Sequence, residues 1–285
     1  TTLGVAAIPT YDRRIPGIPG SFEAGEGSVG ITRRHFLDGA GACLLTVTGG
    51  GAWAAHRQSA GPHTDSLARR LRVEPGAIGR VKTDEREVFL TFDDGPDPAY
   101  TPAVLDRLDQ AGVSATFFLI GRNALAHPHL VHEIASRGHV IGNHTQDHLW
   151  LDGLPQQQVH SQITACERSF ASVAVATTGL FRSPRGWTSD AVRASVDDIG
   201  LRSTFWTDCV EAFVRDHGPR GAAERIAGRM RPGSVILTHD GGALDGPNAQ
   251  RIDRSGSVAA LPYLIDAIRD RRFTIRPLAG RSPVR

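Results

Sequence analysis

Two features of the sequence predict an α/β fold built on a mostly parallel sheet. Short runs rich in β-branched and aromatic residues alternate about seven times with helix-length segments between residues 86 and 280. The polar residues best suited to chemistry stand just after those runs rather than within them. Such a sheet, with helices outside, is either closed as a barrel or left open. At 285 residues, 40% hydrophobic and 22% charged, the chain can bury one large core and still carry a tail.

The first strand covers 88–92 and runs into Asp93-Asp94-Gly95-Pro96. A helix follows, with Thr101 as N-cap, Pro102 at the first helical position and Gly112 as stop. The second strand is 115–120; the next helix is opened by Pro128 and closed by Gly138, ahead of a third strand at 139–141. A long helix over about 155–172 leads to a fourth strand near 178–181, then a helix capped near Ser189 and stopped by Gly200. The fifth strand, 202–206, precedes a helix over about 221–230, which Pro232-Gly233 breaks before a sixth strand at 234–238. A helix over about 258–271 and a strand at 273–276 complete the series.

Residues 1–54 have a different character. Thr32-Arg33-Arg34-His35-Phe36-Leu37 precedes a Gly-rich, moderately apolar run ending in Ala52-Trp53-Ala54, the small-x-small form of a cleavage site. This order resembles a twin-arginine export signal. The run is too short and Gly-interrupted for a membrane span, which needs about 20 apolar residues. An exported protein, extracellular or cell-wall associated and not inserted in a membrane after cleavage, is expected. Residues 55–85, rich in Arg, Gly, Pro and His without a period, are expected to link this tail to a folded domain at 86–280.

The formal charge of +2 and the scattered arginines, without interleaved aromatics, exclude a nucleic-acid partner. Cys43, Cys166 and Cys209 show no CxxC spacing, which removes a zinc knuckle or a thioredoxin-like motif. Cys166 and Cys209 either pair or remain free thiols. The oligomeric state is left open.

On the strand scheme Asp93 and Asp94 follow the first strand, His144 the third, Arg182 the fourth, Asp208 the fifth and His239 the sixth. All are expected at strand C-terminal ends, the rim on which α/β barrels gather their βα loops. His144-Thr145-Gln146-Asp147-His148 sets two imidazoles four residues apart, one helical turn, so both can face one point. With Asp94 they supply two nitrogens and one oxygen, a common set for a catalytic divalent metal that keeps positions open for water and substrate. No glutamate follows the first histidine, so an HExxH metalloprotease is disfavoured. In a chain with twelve histidines the pair alone reads equally well as surface; the aspartates on the same rim are what point to a metal. His127, His129 and His132 are expected to lie exposed on one helix, Asp97 to shape the turn between Pro96 and Pro98, and Asp240 to be a structural rim residue.

Four stretches, Thr91-Phe92-Asp93-Asp94-Gly95-Pro96, His144-Thr145-x-x-His148, Arg182-Ser183-Pro184-Arg185-Gly186 and Leu237-Thr238-His239-Asp240, resemble in identity and order four of the five motifs of the polysaccharide deacetylases, the NodB-homology or carbohydrate esterase family 4 enzymes. The resemblance covers about residues 80–280 and implies a distorted (β/α) barrel of about seven strands. It implies Asp93 as general base, with Asp94, His144 and His148 holding Zn2+ or a similar ion such as Co2+. It implies His239 as general acid, Arg182 as the partner that holds Asp93 ionised and oriented, and the Arg185 backbone N–H as oxyanion donor. Leu237 and Trp206 would line a pocket for the acetyl methyl. The substrate implied is an acetylated polysaccharide, an N-acetylated amino-sugar polymer such as peptidoglycan or a chitin-like glycan; alternatives are an O-acetyl esterase on acetylxylan and a binding protein that has lost turnover. At the fourth motif, where Asp-x-x-Asp-Trp is the family pattern, this chain has Trp206-Thr207-Asp208-Cys209-Val210-Glu211-Ala212. Glu211 is the candidate to replace the second aspartate, which supports the acid histidine, and the tryptophan is gone.

Overall fold

A computed structural model describes residues 77–242 and 252–278. The twin-arginine segment, Cys43 and most of the expected linker lie outside the described residues. The strands are β1 (Glu87–Asp93), β2 (Thr116–Leu119), β3 (Val140–Asn143), β4 (Leu180–Phe181), β5 (Arg202–Ser203), β6 (Asp208–Cys209), β7 (Ser234–His239) and β8 (Thr274–Arg276). The helices are α1 (Thr101–Ala111), α2 (Gly121–Ala126), α3 (Pro128–Ser136), α4 (Gln156–Ser172), α5 (Asp190–Ile199), α6 (Glu211–Arg229) and α7 (Ser255–Asp270). None of them is long and apolar enough to cross a membrane.

Every strand pairing is parallel, in the order β5-β4-β3-β2-β1-β7-β6, with β8 on β1. Seven strands laid flat at about 4.8 Å spacing would put β5 and β6 roughly 29 Å apart. Only residues 204–207 join these two edges, and that connection reaches at most about 18 Å when extended. The sheet must therefore curl, into the distorted (β/α) barrel expected from the sequence. Ile78 bridges to Thr204 beside this seam, and the Val81 N–H donates to the Gly233 carbonyl at 2.9 Å, so the chain already packs on the sheet before β1 begins.

The two-residue period of the strands sorts their side chains. On β1, Val88, Leu90 and Phe92 face the helices and join the larger core with Leu105, Leu108, Ile226 and Leu264. Phe92 stacks on Phe117 with ring centroids 4.8 Å apart. Phe89 faces the barrel interior with Phe118, Leu180 and Val235. Thr91 and Asp93 continue that inner column upward, as do Leu237 and His239 above Val235 on β7. One face of two neighbouring strands thus passes from apolar floor to chemical rim.

Several expectations change. The fifth strand is two short ones, β5 and β6, because Phe205 turns in to the seam, where its N–H donates to Ile78. Asp208 is not a rim residue: it pairs in register with Ile236, three residues below His239, and meets Arg229 Nε at 2.9 Å. Helix α6 starts at Glu211, ten residues before the expected start at 221, and absorbs a kink at Gly218 (φ 66°) ahead of Pro219. Thr101 is the first residue of α1 rather than its N-cap, and its hydroxyl is used elsewhere. Ser189 caps α5 as expected, accepting from the Val192 N–H, and Gly112 and Gly200 close α1 and α5 in the left-handed region. Cys166 and Cys209 are free thiols.

Candidate active site and metal centre

Asp93 ends β1, and Asp94 takes φ 75°, a left-handed conformation that turns its carboxylate away from that of its neighbour. Both side chains are 4% exposed, so each needs its own partner. Arg182, at the end of β4 and fully buried, donates from Nη1 to Asp93 Oδ1 at 2.7 Å and to Thr91 Oγ1 at 2.9 Å. Two more of its donors go to the seam, Nε to the Thr204 carbonyl at 3.3 Å and Nη2 to that of Phe205 at 3.1 Å. Its guanidinium carbon lies 4.1 Å from the centre of the Phe118 ring and 5.6 Å from that of half-buried Trp206. The other Asp93 oxygen, Oδ2, faces His144 Nε2 at 3.8 Å.

Asp94 Oδ1 lies 3.4 Å from His144 Nε2 and 3.3 Å from His148 Nε2, and the three side chains, all buried, form a cluster able to hold a metal ion. Their fit to zinc can be tested on these numbers. Ligands at about 2.0–2.1 Å in a tetrahedron stand about 3.3–3.4 Å apart, which is the spacing of Asp94 Oδ1 from each nitrogen, and the three ligand atoms all lie within 4.8 Å of one another. The tautomer fits as well. His144 Nδ1 is 2.7 Å from the Arg182 carbonyl, an acceptor, so Nδ1 carries the proton and Nε2 offers its lone pair to the cluster. Burial pushes the His148 imidazole down to about 3, against the charge of Asp94, so it too is neutral. For Asp94 burial acts upward, but the charge of the neighbouring His239 holds it well below the usual carboxylate range.

The two histidines do not sit on a helix. Residues 144–148 form an irregular loop after β3, in which Thr145 (φ 69°) and His148 (φ 56°) take left-handed backbone. Asn143 Oδ1 accepts the Thr145 N–H at 2.8 Å and Thr145 Oγ1 accepts that of His148 at 3.1 Å, which folds the loop so that both rings face one point. Among the described residues six non-glycines have positive φ, and Asp94, Thr145, His148 and Arg185 are four of them. Strain of this kind concentrates at functional sites because the surroundings must enforce it.

His239 ends β7 in register with Asp93. Its Nδ1 lies 3.1 Å from Glu211 Oε1, and its Nε2 lies 3.9 Å from Asp94 Oδ2. Glu211 is held by Ser257 Oγ at 2.7 Å, Thr238 Oγ1 at 3.2 Å and Cys209 Sγ at 3.3 Å. Burial acts upward on Glu211, but His239, the Ser257 hydroxyl and the charge of Arg254 bring it down to about 2. Burial acts downward on His239; the charges of Glu211 and Asp94 outweigh it and raise the imidazole above its ordinary value.

Of the remaining candidates, Arg185 sits in a one-turn 3-10 segment (Pro184–Gly186) at φ 57°, with its side chain exposed and its guanidinium carbon 4.3 Å from the centre of the Trp150 ring. Leu237 is buried on the inner face two residues below His239. Asp240 lies fully buried under the rim, its Oδ2 accepting from Thr101 Oγ1 at 2.6 Å, and burial pushes it up to about 7. A side chain at Gly95 would run into that carboxyl, so glycine is required there. Asp97 Oδ1 accepts the Ala99 N–H at 2.9 Å, as a turn-shaping aspartate should. His129 and His132 are exposed on α3, while His127 stands between α2 and α3. Arg254, ahead of α7, stands in none of the sequence motifs, yet its Nη2 donates to Asp94 Oδ2 at 3.0 Å.

A curled parallel barrel whose rim carries a buried Asp-His-His cluster, a second carboxylate on an arginine and a glutamate-backed histidine defines a hydrolase with a place for a divalent ion. The family described as polysaccharide deacetylase matches residues 80–204. A chitooligosaccharide deacetylase of Sinorhizobium fredii is 36% identical over 203 residues, 70% of this chain and 94% of the relative. A peptidoglycan-N-acetylglucosamine deacetylase of Bacillus cereus is 33% identical over 210 residues, 73% and 93% of the two chains. Among solved structures, the Bc1960 peptidoglycan N-acetylglucosamine deacetylase superposes with a TM-score of 0.63 at 31% identity, covering 73% of this chain and 94% of that one. The chain belongs to the polysaccharide deacetylase family, hydrolases acting on amide bonds.

Proposed function

We propose that this protein removes N-acetyl groups from an amino-sugar polysaccharide, peptidoglycan or a chitin-like glycan, with Asp93 as general base and His239 as general acid. The observation that carries this reading is the division of two adjacent carboxylates, Asp94 toward His144 and His148 and Asp93 onto Arg182. The substrate class is supported by the names of the relatives, which specify chitooligosaccharide and the N-acetylglucosamine of peptidoglycan.

A divalent ion held by Asp94, His144 and His148, zinc or a similar ion such as cobalt, would polarise the acetyl carbonyl and acidify the attacking water. Asp93 Oδ1 is occupied by Arg182, which leaves Oδ2, the oxygen facing the cluster, to take the proton of that water. The Arg185 backbone N–H stabilises the charge that develops on the acetyl oxygen. His239 Nε2 then delivers a proton to the amine as the C–N bond breaks, since an unprotonated amine leaves poorly. Leu237 and Trp206 bound the space for the acetyl methyl.

Glu211 is assigned to hold the His239 proton. Removing its charge by Glu211→Gln lowers the imidazole pKa, so the alkaline limb of kcat/KM is expected to move to lower pH while the acid limb stays. The pH profiles of both proteins on one soluble substrate check this, and an unmoved alkaline limb contradicts it.

The chain is further proposed to be exported through its twin-arginine segment. Changing Arg33-Arg34 to Lys-Lys is expected to trap the protein inside the cell, read by fractionation of cells expressing both forms.

The functional reading as a whole is tested by acetate release from metal-loaded protein on N-acetylglucosamine oligomers, peptidoglycan and acetylxylan. Release from the amino sugars is expected. Release from acetylxylan alone would make the protein an O-acetyl esterase, and release from none of them, with metal bound, a binding protein.

A further inference from the structure

Arg254 belongs to none of the strand-end motifs, yet it reaches across 160 positions of sequence to the metal-site aspartate. Its residue is only 8% exposed. Nη2 donates to Asp94 Oδ2 at 3.0 Å while Nε donates to the Gly241 carbonyl at 3.0 Å, so the planar guanidinium is fixed at two points. Its neighbour Asp253 braces the approach, accepting from the Ser255 N–H at 2.8 Å and from the Tyr100 hydroxyl at 3.3 Å. The two Asp94 oxygens are thereby divided: Oδ1 faces His144 and His148 at 3.4 and 3.3 Å, and Oδ2 is held by Arg254. His239 Nε2 stands 3.9 Å from that same Oδ2.

We propose that Arg254 is a positioning residue that locks the Asp94 carboxylate so that a single oxygen is presented to the metal ion, and that by saturating Oδ2 it keeps His239 Nε2 available to the leaving amine. This rests on Asp94 being a metal ligand and His239 the acid. Two effects oppose one another. A guanidinium beside a divalent ion repels it, so charge alone would make the ion bind more tightly once Arg254 is removed. An ordered ligand needs no reorganisation on binding, and loss of such an outer partner commonly costs about 10–100-fold in metal affinity. The two-point anchoring decides for the second, because without it Asp94 is free to rotate toward His239.

The test is zinc affinity, measured by chelator competition on the full chain for wild type, Arg254→Met, Arg254→Lys and Asp94→Ala, with unfolding transitions recorded alongside. Expected are a zinc dissociation constant raised about 10–100-fold in Arg254→Met and a substantial part of that loss in Arg254→Lys, whose ammonium keeps the charge but lacks the rigid planar fork that fixes Asp94. Wild-type or tighter zinc binding in both variants overturns the proposal, including when only the unfolding temperature falls, which is the signature of a purely structural arginine. If Arg254→Met does not fold, Arg254→Lys alone decides between these outcomes. A wild-type protein that binds no zinc, or Asp94→Ala that binds it normally, overturns the ligand assignment itself; normal binding by the Arg254 variants while Asp94→Ala binds none overturns only the role of Arg254.

Discussion

Asp94→Ala is expected to lose zinc retention and acetate release together. Asp94 is the one anionic member of the Asp94-His144-His148 cluster, so its removal leaves a dication without an anionic ligand. The loss should exceed the roughly 10–100-fold typical of an outer-shell partner. Position 94 has φ 75°, where alanine is strained by about 1–2 kcal/mol and asparagine is tolerated. Asp94→Asn therefore keeps the turn and removes only the charge. Both variants should leave gel filtration without zinc, measured by elemental analysis; a full equivalent retained by Asp94→Asn would contradict the ligand set.

Arg182→Met is expected to damage the fold as well as the chemistry. Methionine matches the stem of the buried arginine but none of its four hydrogen bonds, to Asp93, Thr91, Thr204 and Phe205. Asp93 would keep its burial and lose its partner, and the seam between β5 and β6 would lose two donors. Breaking a buried pair in this way typically costs about 3–5 kcal/mol, which for a domain of this size lowers Tm on the order of 10 °C. Arg182→Lys keeps a charge near Asp93 but cannot fill the seam, so its loss of stability should be smaller. Thermal unfolding followed by circular dichroism checks both.

What the sequence made legible follows from where each signal sits. Asp93-Asp94, His144 with His148, Arg182 and His239 each stand in a short contiguous stretch straight after a strand, so one residue's place on the rim can be read from its neighbours. Arg254 and Ser257 could not be read this way. Each reaches the site from the start of α7 through a side-chain contact that exists only once the barrel has curled, and nothing near them in sequence marks it. The His144–His148 pair converges for a reason other than its four-residue spacing: left-handed backbone at Thr145 and His148, supported by the Asn143 side chain, does the work expected of a helical turn. Asp208 lies below the rim because the seam splits one expected strand in two. Glu211 was singled out only through the altered fourth motif, and its hydrogen bonds to Ser257 and Thr238 show how the longer side chain is held against His239.

Separate tasks for two neighbouring carboxylates lie at the centre of the proposed function, and Asp93→Asn tests them most directly. Asparagine keeps the size of the side chain and can still accept from Arg182, but it cannot take a proton from water. Zinc content and acetate release should be measured on the same sample. The expected result is one equivalent of zinc retained with turnover reduced at least about 100-fold, the usual scale of general-base catalysis. Near-normal turnover, or loss of the zinc, would contradict the division of labour between Asp93 and Asp94.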